Sequence, residues 1–525
     1  MQPSFTQALA YLARPLAVWP GGSAWRYADE AATESRGNSL NIPAILPETL
    51  GDAGFRRDHG LRMAYVAGSM AHGIASEDLV EAAVRAGCLG FYGAAGQSPA
   101  RVEQALVRLK NNLSNGSWGC NLLHSPTDPA LESAHADTIL RHGVSRVEAS
   151  AYLDVTLPLV RYRLSGLRAD ASGRPVAACQ VIAKVSRVEV ARKFLSPAPE
   201  KLVAELVRTG AITELQARLA SRLPLADDIT AEADSGGHTD NRPALTLFPS
   251  LMALRDRMAR EFGYDRLPRV GLAGGIATPH AVAAAFAMGA AYVLVGTVHQ
   301  ACVESGTSDL VRGMLAQAEQ ADCAMAPAAD MFEMGVKVQV LKRGTLFAMR
   351  AQKLYDWYRQ YAGFEQMPAP DRQQLEGQIL GRPFDAVWAD CEKFFTVRDP
   401  SQLPRAAADP RHRMALVFRW YLSQASRWAT AGEAQRKTDF QVWCGPGMGA
   451  FNEWTRGTFL EDPSRRCLAT VARNLMYGAA VLKRAEVAVL CGATGESPRV
   501  EPLEPEEIDR RCALPAGSAS ARASA

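Results

Sequence analysis

From residue 61 onward, short apolar runs ending in glycine or other small residues recur along the chain, with amphipathic stretches between them. The runs at 63–67, 88–92, 117–123, 146–149, 180–185, 229–232, 270–273 and 292–295 have the length and apolar character of strands buried on both faces. The intervening stretches have helical spacing. In 100–113, apolar residues at 102, 105, 106, 109 and 113 share one face, and 77–86, 130–142 and the stretch from Val188 read the same way. Strands alternating with helices predict an α/β protein with a parallel sheet. Eight such units over about 240 residues predict a (β/α)8 TIM barrel rather than an open doubly wound sheet. The long gap before the sixth strand holds Pro197, Pro199 and a helical pattern over 201–219, and is expected to form an insertion over the barrel mouth.

The pattern changes at both ends of this unit. Residues 1–60 are rich in Pro, Gly and short polar runs and predict an irregular lead-in on the surface. After Thr297 the strand signal stops. Residues 329–430 are helical in pattern, with aromatics at Tyr355, Trp357, Tyr358, Tyr361, Trp388, Phe394, Phe395, Phe418, Trp420 and Tyr421 that predict a packed core. A glycine loop at 444–449 precedes a last helix over 463–484, and the Gly-, Ser-, Pro- and Glu-rich stretch 491–525 predicts a disordered tail. The expected divisions are therefore a lead-in at 1–60, a barrel at 61–329, a helical region at 330–490 and the tail.

Composition excludes several classes of function. The net charge of +3 over 525 residues, without a long basic stripe, argues against nucleic acid as a partner. The ten cysteines stand singly, in no CxxC pair and no zinc spacing, so no metal is expected, and free thiols suit a reducing cytoplasm. No apolar run is long enough to span a membrane and no leader pattern opens the chain, so neither export nor a membrane partner is expected.

The candidate chemistry lies at the C-terminal ends of the predicted strands, where TIM barrels carry their active sites. Gly274-Gly275 follows the seventh strand and Gly296-Thr297 the eighth, the place where barrels bind a phosphate through backbone N–H groups. Gly68-Ser69-Met70-Ala71 after the first strand can form a flat platform for a ring. Asn121 can offer an amide to a heterocycle, and Lys184 can place a cation beside an electron-rich ring. Residues 232–240 read Glu-Ala-Asp-Ser-Gly-Gly-His-Thr-Asp. There Gly237 frees the backbone beside His238, a side chain suited to proton transfer near neutral pH, and Asp234 and Asp240 are near in sequence.

Together these segments resemble the PfaD-type trans-acting enoyl reductases of polyunsaturated fatty acid and polyketide synthases, within the nitronate monooxygenase-like flavin barrels. The likeness spans roughly residues 43–485. It rests on Ala67-Gly68-Ser69-Met70-Ala71, Gly119-Cys120-Asn121-Leu122, Ala183-Lys184-Val185-Ser186, the 232–240 stretch, Ala273-Gly274-Gly275-Ile276 and Gly296-Thr297. Two further segments, 330–339 and 445–454, are particular to the PfaD-type branch. The resemblance implies FMN in the barrel, NADPH as reductant and an enoyl thioester on an acyl carrier protein as substrate. It assigns the phosphate to Gly274, Gly275, Gly296 and Thr297, the ring to Gly68–Ala71, Asn121 and Lys184, and the active-site histidine to His238. His72 departs from the family, in which asparagine is expected at this position.

Two other functions compete. One is a nitronate monooxygenase-type flavin oxidase, for which the large 330–490 region has no evident use. The other is a flavin-free docking subunit of a megasynthase, against which the glycine-rich mouth and His238 argue. The arginines at 405, 411, 413, 419 and 427 are expected to steer an acidic carrier protein, with a homodimer interface as the alternative use of the same helices.

Overall fold

The computed structural model describes residues 4–19, 25–28, 39–114, 116–126, 128–494 and 497–514. Its centre is a closed barrel of eight strands. We number them β1 (Tyr65–Ala67), β2 (Leu89–Tyr92), β3 (Trp118–Leu123), β4 (Arg146–Ser150), β5 (Gln180–Val185), β6 (Asp228–Glu232), β7 (Arg269–Ala273) and β8 (Val293–Val295). Every neighbouring pair is parallel, and the β8–β1 and β4–β5 pairings complete the ring. All eight coincide with the apolar runs of the sequence, because strands covered on both faces need apolar side chains on both. At the lower end, buried Asp228 accepts from His59 Nε2 at 2.8 Å and from Arg269 Nε at 2.6 Å, so the charges brought inside are paired.

The segment between β5 and β6 holds the expected helix from Val188, Val188–Leu195, and then departs from expectation. The insertion after it forms two further helices, Glu200–Arg208 and Glu214–Ala220, separated by a turn at Gly210, which has φ +71°. They do not cover the mouth. The second is tied to Leu164 by Gln216, while Arg222 reaches Gly173 and Arg163 binds Pro224 and Asp227 beside the start of β5. The insertion thus lies on the flank toward the N-terminal ends of the strands.

The mouth is covered in part by strands, although the sequence predicts the strand signal to stop after Thr297 and 329–430 to be helical. Cys323–Pro327 and Lys337–Leu341 are antiparallel strands, and the two-residue strand Gly237–His238 adds to the second of them, pairing with Gln339 and Val338. The residues between and after them, Asp330 and the helices Phe347–Gln360, Phe384–Arg398, Gln402–Ala408 and Pro410–Ala431, build the remainder of the cover. These helices have a core of their own around Trp357, Phe384, Phe418 and Tyr421, as the aromatic pattern predicts. Most buried residues from 440 to 481 pack into the barrel core instead, and Ala485 and Ala488 pack against the lead-in, so the 330–490 stretch serves three cores. The final long helix is Leu468–Leu490 rather than 463–484, and it lies along the Pro279–Ala287 helix of the barrel wall.

The described residues toward both ends of the chain are more ordered than their composition suggests. In the lead-in, the strands Leu16–Val18, Trp25–Tyr27 and Leu40–Ile42 form an antiparallel sheet, and Leu9, Leu16 and Val18 are buried. Buried Arg484 binds the carbonyls of Tyr11 and Arg14 and anchors this unit to the last long helix. In the expected disordered tail, Pro505–Cys512 is a helix. Ile508 is buried, and the Leu503 N–H donates to Asn474 Oδ1 at 2.7 Å. A few apolar anchors among the polar residues suffice to fix it. Residues 515–525 lie outside the described residues. No described helix is long and apolar enough to cross a membrane.

Candidate active site

At the C-terminal ends of the strands lies a cavity of about 1290 Å³, bounded below by the barrel and above by the cover. It exceeds the ~300–1,000 Å³ of an ordinary small-molecule site. Eleven of the twelve residues singled out in the sequence line it: Ser69, Met70 and Ala71; Asn121 and Lys184; Gly237 and His238; Gly274, Gly275, Gly296 and Thr297. Gly68 does not. Its N–H donates to the Val295 carbonyl at 3.1 Å and a Cβ there would come within 2.5 Å of Leu294, so it is the seam between β1 and β8.

One end of the cavity is bare backbone. Gly274 and Gly275 have φ of +87° and +70°. A Cβ on Gly274 would approach the Ala233 carbonyl carbon to 2.6 Å, whereas at Gly275 and Gly296 it would meet nothing within 4 Å. Gly296 caps the short helix Thr297–Gln300. The turns after β7 and β8 therefore leave an open cradle in which backbone donors are unscreened by side chains, which fits a phosphate. The 445–454 segment lies against the cradle from outside: it is helical from Gly447 to Thr455, so the glycine loop expected at 444–449 is shorter than read, and a Cβ on Gly447 would lie 3.5 Å from Gly275 Cα.

The other end carries charge. Lys184 Nζ sits 3.3 Å from Glu232 and 3.8 Å from Glu148. Burial disfavours its charge, but the two carboxylates outweigh burial and raise its pKa, so it is a held cation. Glu148, fully buried on β4, receives the Ser69 N–H at 3.0 Å and the Ser69 hydroxyl, and so fixes the platform after β1. Burial raises its pKa against the opposing pull of Lys184 and Ser69. Sequence reasoning missed Glu148. The signal was an acid in the middle of an apolar strand, where a charge needs a purpose. Asn121 Nδ2 donates to the Glu148 carbonyl at 2.9 Å and to Ser150 Oγ at 3.0 Å, which leaves its carbonyl oxygen as the group to offer a ring N–H.

His238 stands between these ends, and its partner is neither acid expected from the sequence. Asp240 binds Ser186 and Arg187, and Asp234 binds Asn241 and Gln339. Instead His238 Nε2 meets Asp330 Oδ1 at 3.1 Å. Burial opposes the imidazolium, yet Asp330, by charge and hydrogen bond, and then Glu232 prevail and raise the His238 pKa. The same contact lowers that of Asp330 against the effect of burial. Nearby, His72 adopts φ +58° and stacks on Trp443 at 5.4 Å. Burial, then Arg427, push its pKa down to about 4, so it is neutral near pH 7.

Of the five arginines expected to steer a partner, Arg405, Arg419 and Arg427 line the cavity, whereas Arg411 and Arg413 do not. Arg413 is held by Asp385 at 2.6 Å and lies over the Phe384 and Trp388 rings, and Arg411 donates to the Tyr361 carbonyl.

Comparison with known proteins agrees with the barrel fold. The nitronate monooxygenase family model matches residues 61–355, and a model described as the inserted helical domain of [acyl-carrier-protein] S-malonyltransferase matches 361–440. The enoyl reductase domain of MlnA, from the macrolactin cluster of Bacillus amyloliquefaciens, superposes with a TM-score of 0.81 at 38% identity over 84% of this chain and 99% of that one. This chain belongs to the PfaD-type trans-acting enoyl reductase family. A polyunsaturated fatty acid synthase polypeptide of Thraustochytrium is 45% identical over 88% of this chain and 31% of its own length. The polyketide biosynthesis protein PksE of Bacillus subtilis is 43% identical over 84% of this chain and 58% of its length. This PfaD-type chain thus spans less than two thirds of the length of these last two relatives.

Proposed function

We propose that this protein is an FMN-dependent, NADPH-consuming enoyl reductase acting in trans on enoyl thioesters carried by the acyl carrier protein of a polyketide or polyunsaturated fatty acid synthase. The observation that carries this reading is the continuity of the cavity. One space runs from the Gly274–Gly275 cradle past His238 to Arg405 in the helical cover, giving room for a cofactor and a long thioester together. A nitronate oxidase has no evident use for the outer half. The helical stretch 361–440 resembles a domain of an enzyme that works on acyl carrier proteins, which supports a carrier as partner. Ten unpaired cysteines support a reducing compartment such as the cytoplasm.

The residues suit FMN. Gly274, Gly275, Gly296 and Thr297 would hold the phosphate, the Ser69–Ala71 platform the ring face, and the Asn121 carbonyl a ring N–H. The chemistry such a cofactor supplies is two-electron hydride transfer between NADPH and the enoyl β-carbon. Lys184 holds positive charge at the ring end, fixed by Glu148 and Glu232. His238, whose protonated form Asp330 favours, would donate a proton from its imidazole to the substrate α-carbon, a contribution typically worth roughly 10²–10⁴-fold. Trp443 and His72 stack on each other in the cavity wall.

The test is direct. Purified protein should be yellow, release FMN, bleach anaerobically with NADPH and recover colour with carrier-bound enoyl thioester. A colourless protein that cannot be reconstituted favours the docking-subunit alternative. Oxygen-dependent nitronate oxidation without need of nicotinamide favours the oxidase.

A further inference from the structure

Beyond the barrel the cavity follows one face of the Pro410–Ala431 helix. His412, Leu416, Arg419, Ser423 and Arg427 line it at intervals of three or four residues, so they form a single stripe. From His412 to Arg427 the stripe is about 22 Å long at helical rise. At its outer end the Gln402–Ala408 helix is joined by the 2.8 Å contact of Gln402 with His412, and it brings Arg405 to the wall. At its inner end Arg427 is close enough to His72 to depress that residue's pKa.

The cations on this wall are of two kinds. Arg187 is matched by Asp240, Arg398 by Asp128 and Arg419 by Glu333. The side chains of Arg405 and Arg427 make no ion pair or hydrogen bond among the described residues, although both line the cavity. Guanidinium groups left free on the wall of a cavity present a planar donor fork that matches a phosphate. The outer wall that Arg405 shares is partly apolar: Phe394, 53% exposed, and Phe395 line it on the last turns of Phe384–Arg398.

We propose that this stripe is a binding track for phosphate esters, with Arg405 as its outer handle and Arg427 as its inner one. The proposal rests on the reading above, because both of its reactants carry a phosphate ester remote from the reacting atoms. One is a phosphopantetheine-linked thioester and the other a nicotinamide dinucleotide phosphate. The partly apolar outer wall places the thioester arm at Arg405, with its thiol end pointing inward toward His238.

Calorimetric titration of the flavin-loaded protein tests this without turnover. The probes are phosphopantetheine, pantetheine and oxidised nicotinamide dinucleotide phosphate, against wild type, Arg405→Ala, Arg405→Lys and Arg427→Ala. Loss of one charge-assisted contact should weaken a phosphate-bearing probe by about tenfold. Pantetheine should bind all four proteins alike, and Arg405→Lys should recover part of the loss. Phosphopantetheine weakened at Arg405 assigns the outer handle to the thioester arm. Weakening of the dinucleotide alone supports the track with the other source. If no phosphate-bearing probe weakens in either alanine variant, or if pantetheine weakens as much, the proposal is overturned. Bleaching of the wild-type flavin by NADPH, measured on the same preparation, separately decides the enzyme reading.

Discussion

Replacing Asp330 with asparagine removes a charge while keeping the shape beside His238. The 3.1 Å contact between them is worth about 1.3 kcal/mol at the dielectric of water and about 5 kcal/mol at an effective dielectric near 20. The two side chains are 35% and 40% exposed, so solvent screening selects the low end of this range. At 1.36 kcal/mol per pKa unit, the His238 pKa should fall by about one unit in Asp330→Asn. Because the protonated imidazole is the proposed donor, enoyl reduction by pre-reduced enzyme should fall as pH rises through the His238 pKa. In the variant that fall should begin about one unit lower. Stopped-flow reoxidation across the neutral range measures both limbs, and the acid plateaus should nearly coincide. Thermal stability provides a second readout. The His238 pKa is raised in the folded state, so its share of the stabilisation is full below its unfolded value of about 6.5 and lost as pH rises through the folded one. Asp330 is depressed, so its share is full above its unfolded value of about 4 and lost as pH falls through the folded one. The wild-type advantage should therefore peak between about pH 4 and 6.5 and shrink above. An alkaline limb that stays in place, or moves upward, refutes the donor role of His238.

Other outcomes follow from the geometry. Gly275→Val should abolish FMN retention, read from cofactor released on denaturation, because its side chain enters the open cradle and φ of +70° penalises a β-branched residue. His238→Ala should keep the flavin but slow enoyl reduction roughly 10²-fold or more in single-turnover mixing, and unchanged rates would return His238 to a structural role. Lys184→Met strips a cation from buried Glu148 and should cost roughly 3–5 kcal/mol at neutral pH by denaturant titration. That deficit should narrow on acidification, because Glu148 already has a raised pKa and becomes neutral first. Deleting residues 497–525 should lower the melting temperature by several degrees, through loss of buried Ile508 and the Asn474–Leu503 contacts, whereas a disordered tail would leave it unchanged.

The barrel was legible because its signal is local. Runs such as Tyr65–Ala67 and Leu89–Tyr92 are buried on every residue, and their ends carry the glycines that the turns need. The cover was not. Gly237–His238 is too short to show a period, and its partner Lys337–Leu341 alternates in burial only at its start, beside a helical stretch that dominates any window. The side of the barrel on which the 197–226 insertion lies depends on tertiary contacts such as Arg163–Asp227, for which spacing gives no sign. His238 could be singled out from its glycine neighbours, but not its partner. Asp330 lies 92 residues away, and Asp234 and Asp240, close in sequence, are turned to other donors. Likewise Arg411 and Arg413 look free in the sequence but face carbonyls, carboxylates and rings within their own helical unit.

The short strand of His238 also sets an order of events on the ribosome. The eight barrel strands are complete in the nascent chain at Val295, but the strand that clasps Gly237–His238 is Lys337–Leu341, and the acid that charges the histidine is Asp330. At roughly 5–20 residues per second, the barrel is out several seconds before its histidine acquires a partner. During that interval the segments that build the cover and supply Asp330 are not yet made. On the proposed reading, the half-made chain thus has the strands of its cofactor site before it has the partner of its proton donor.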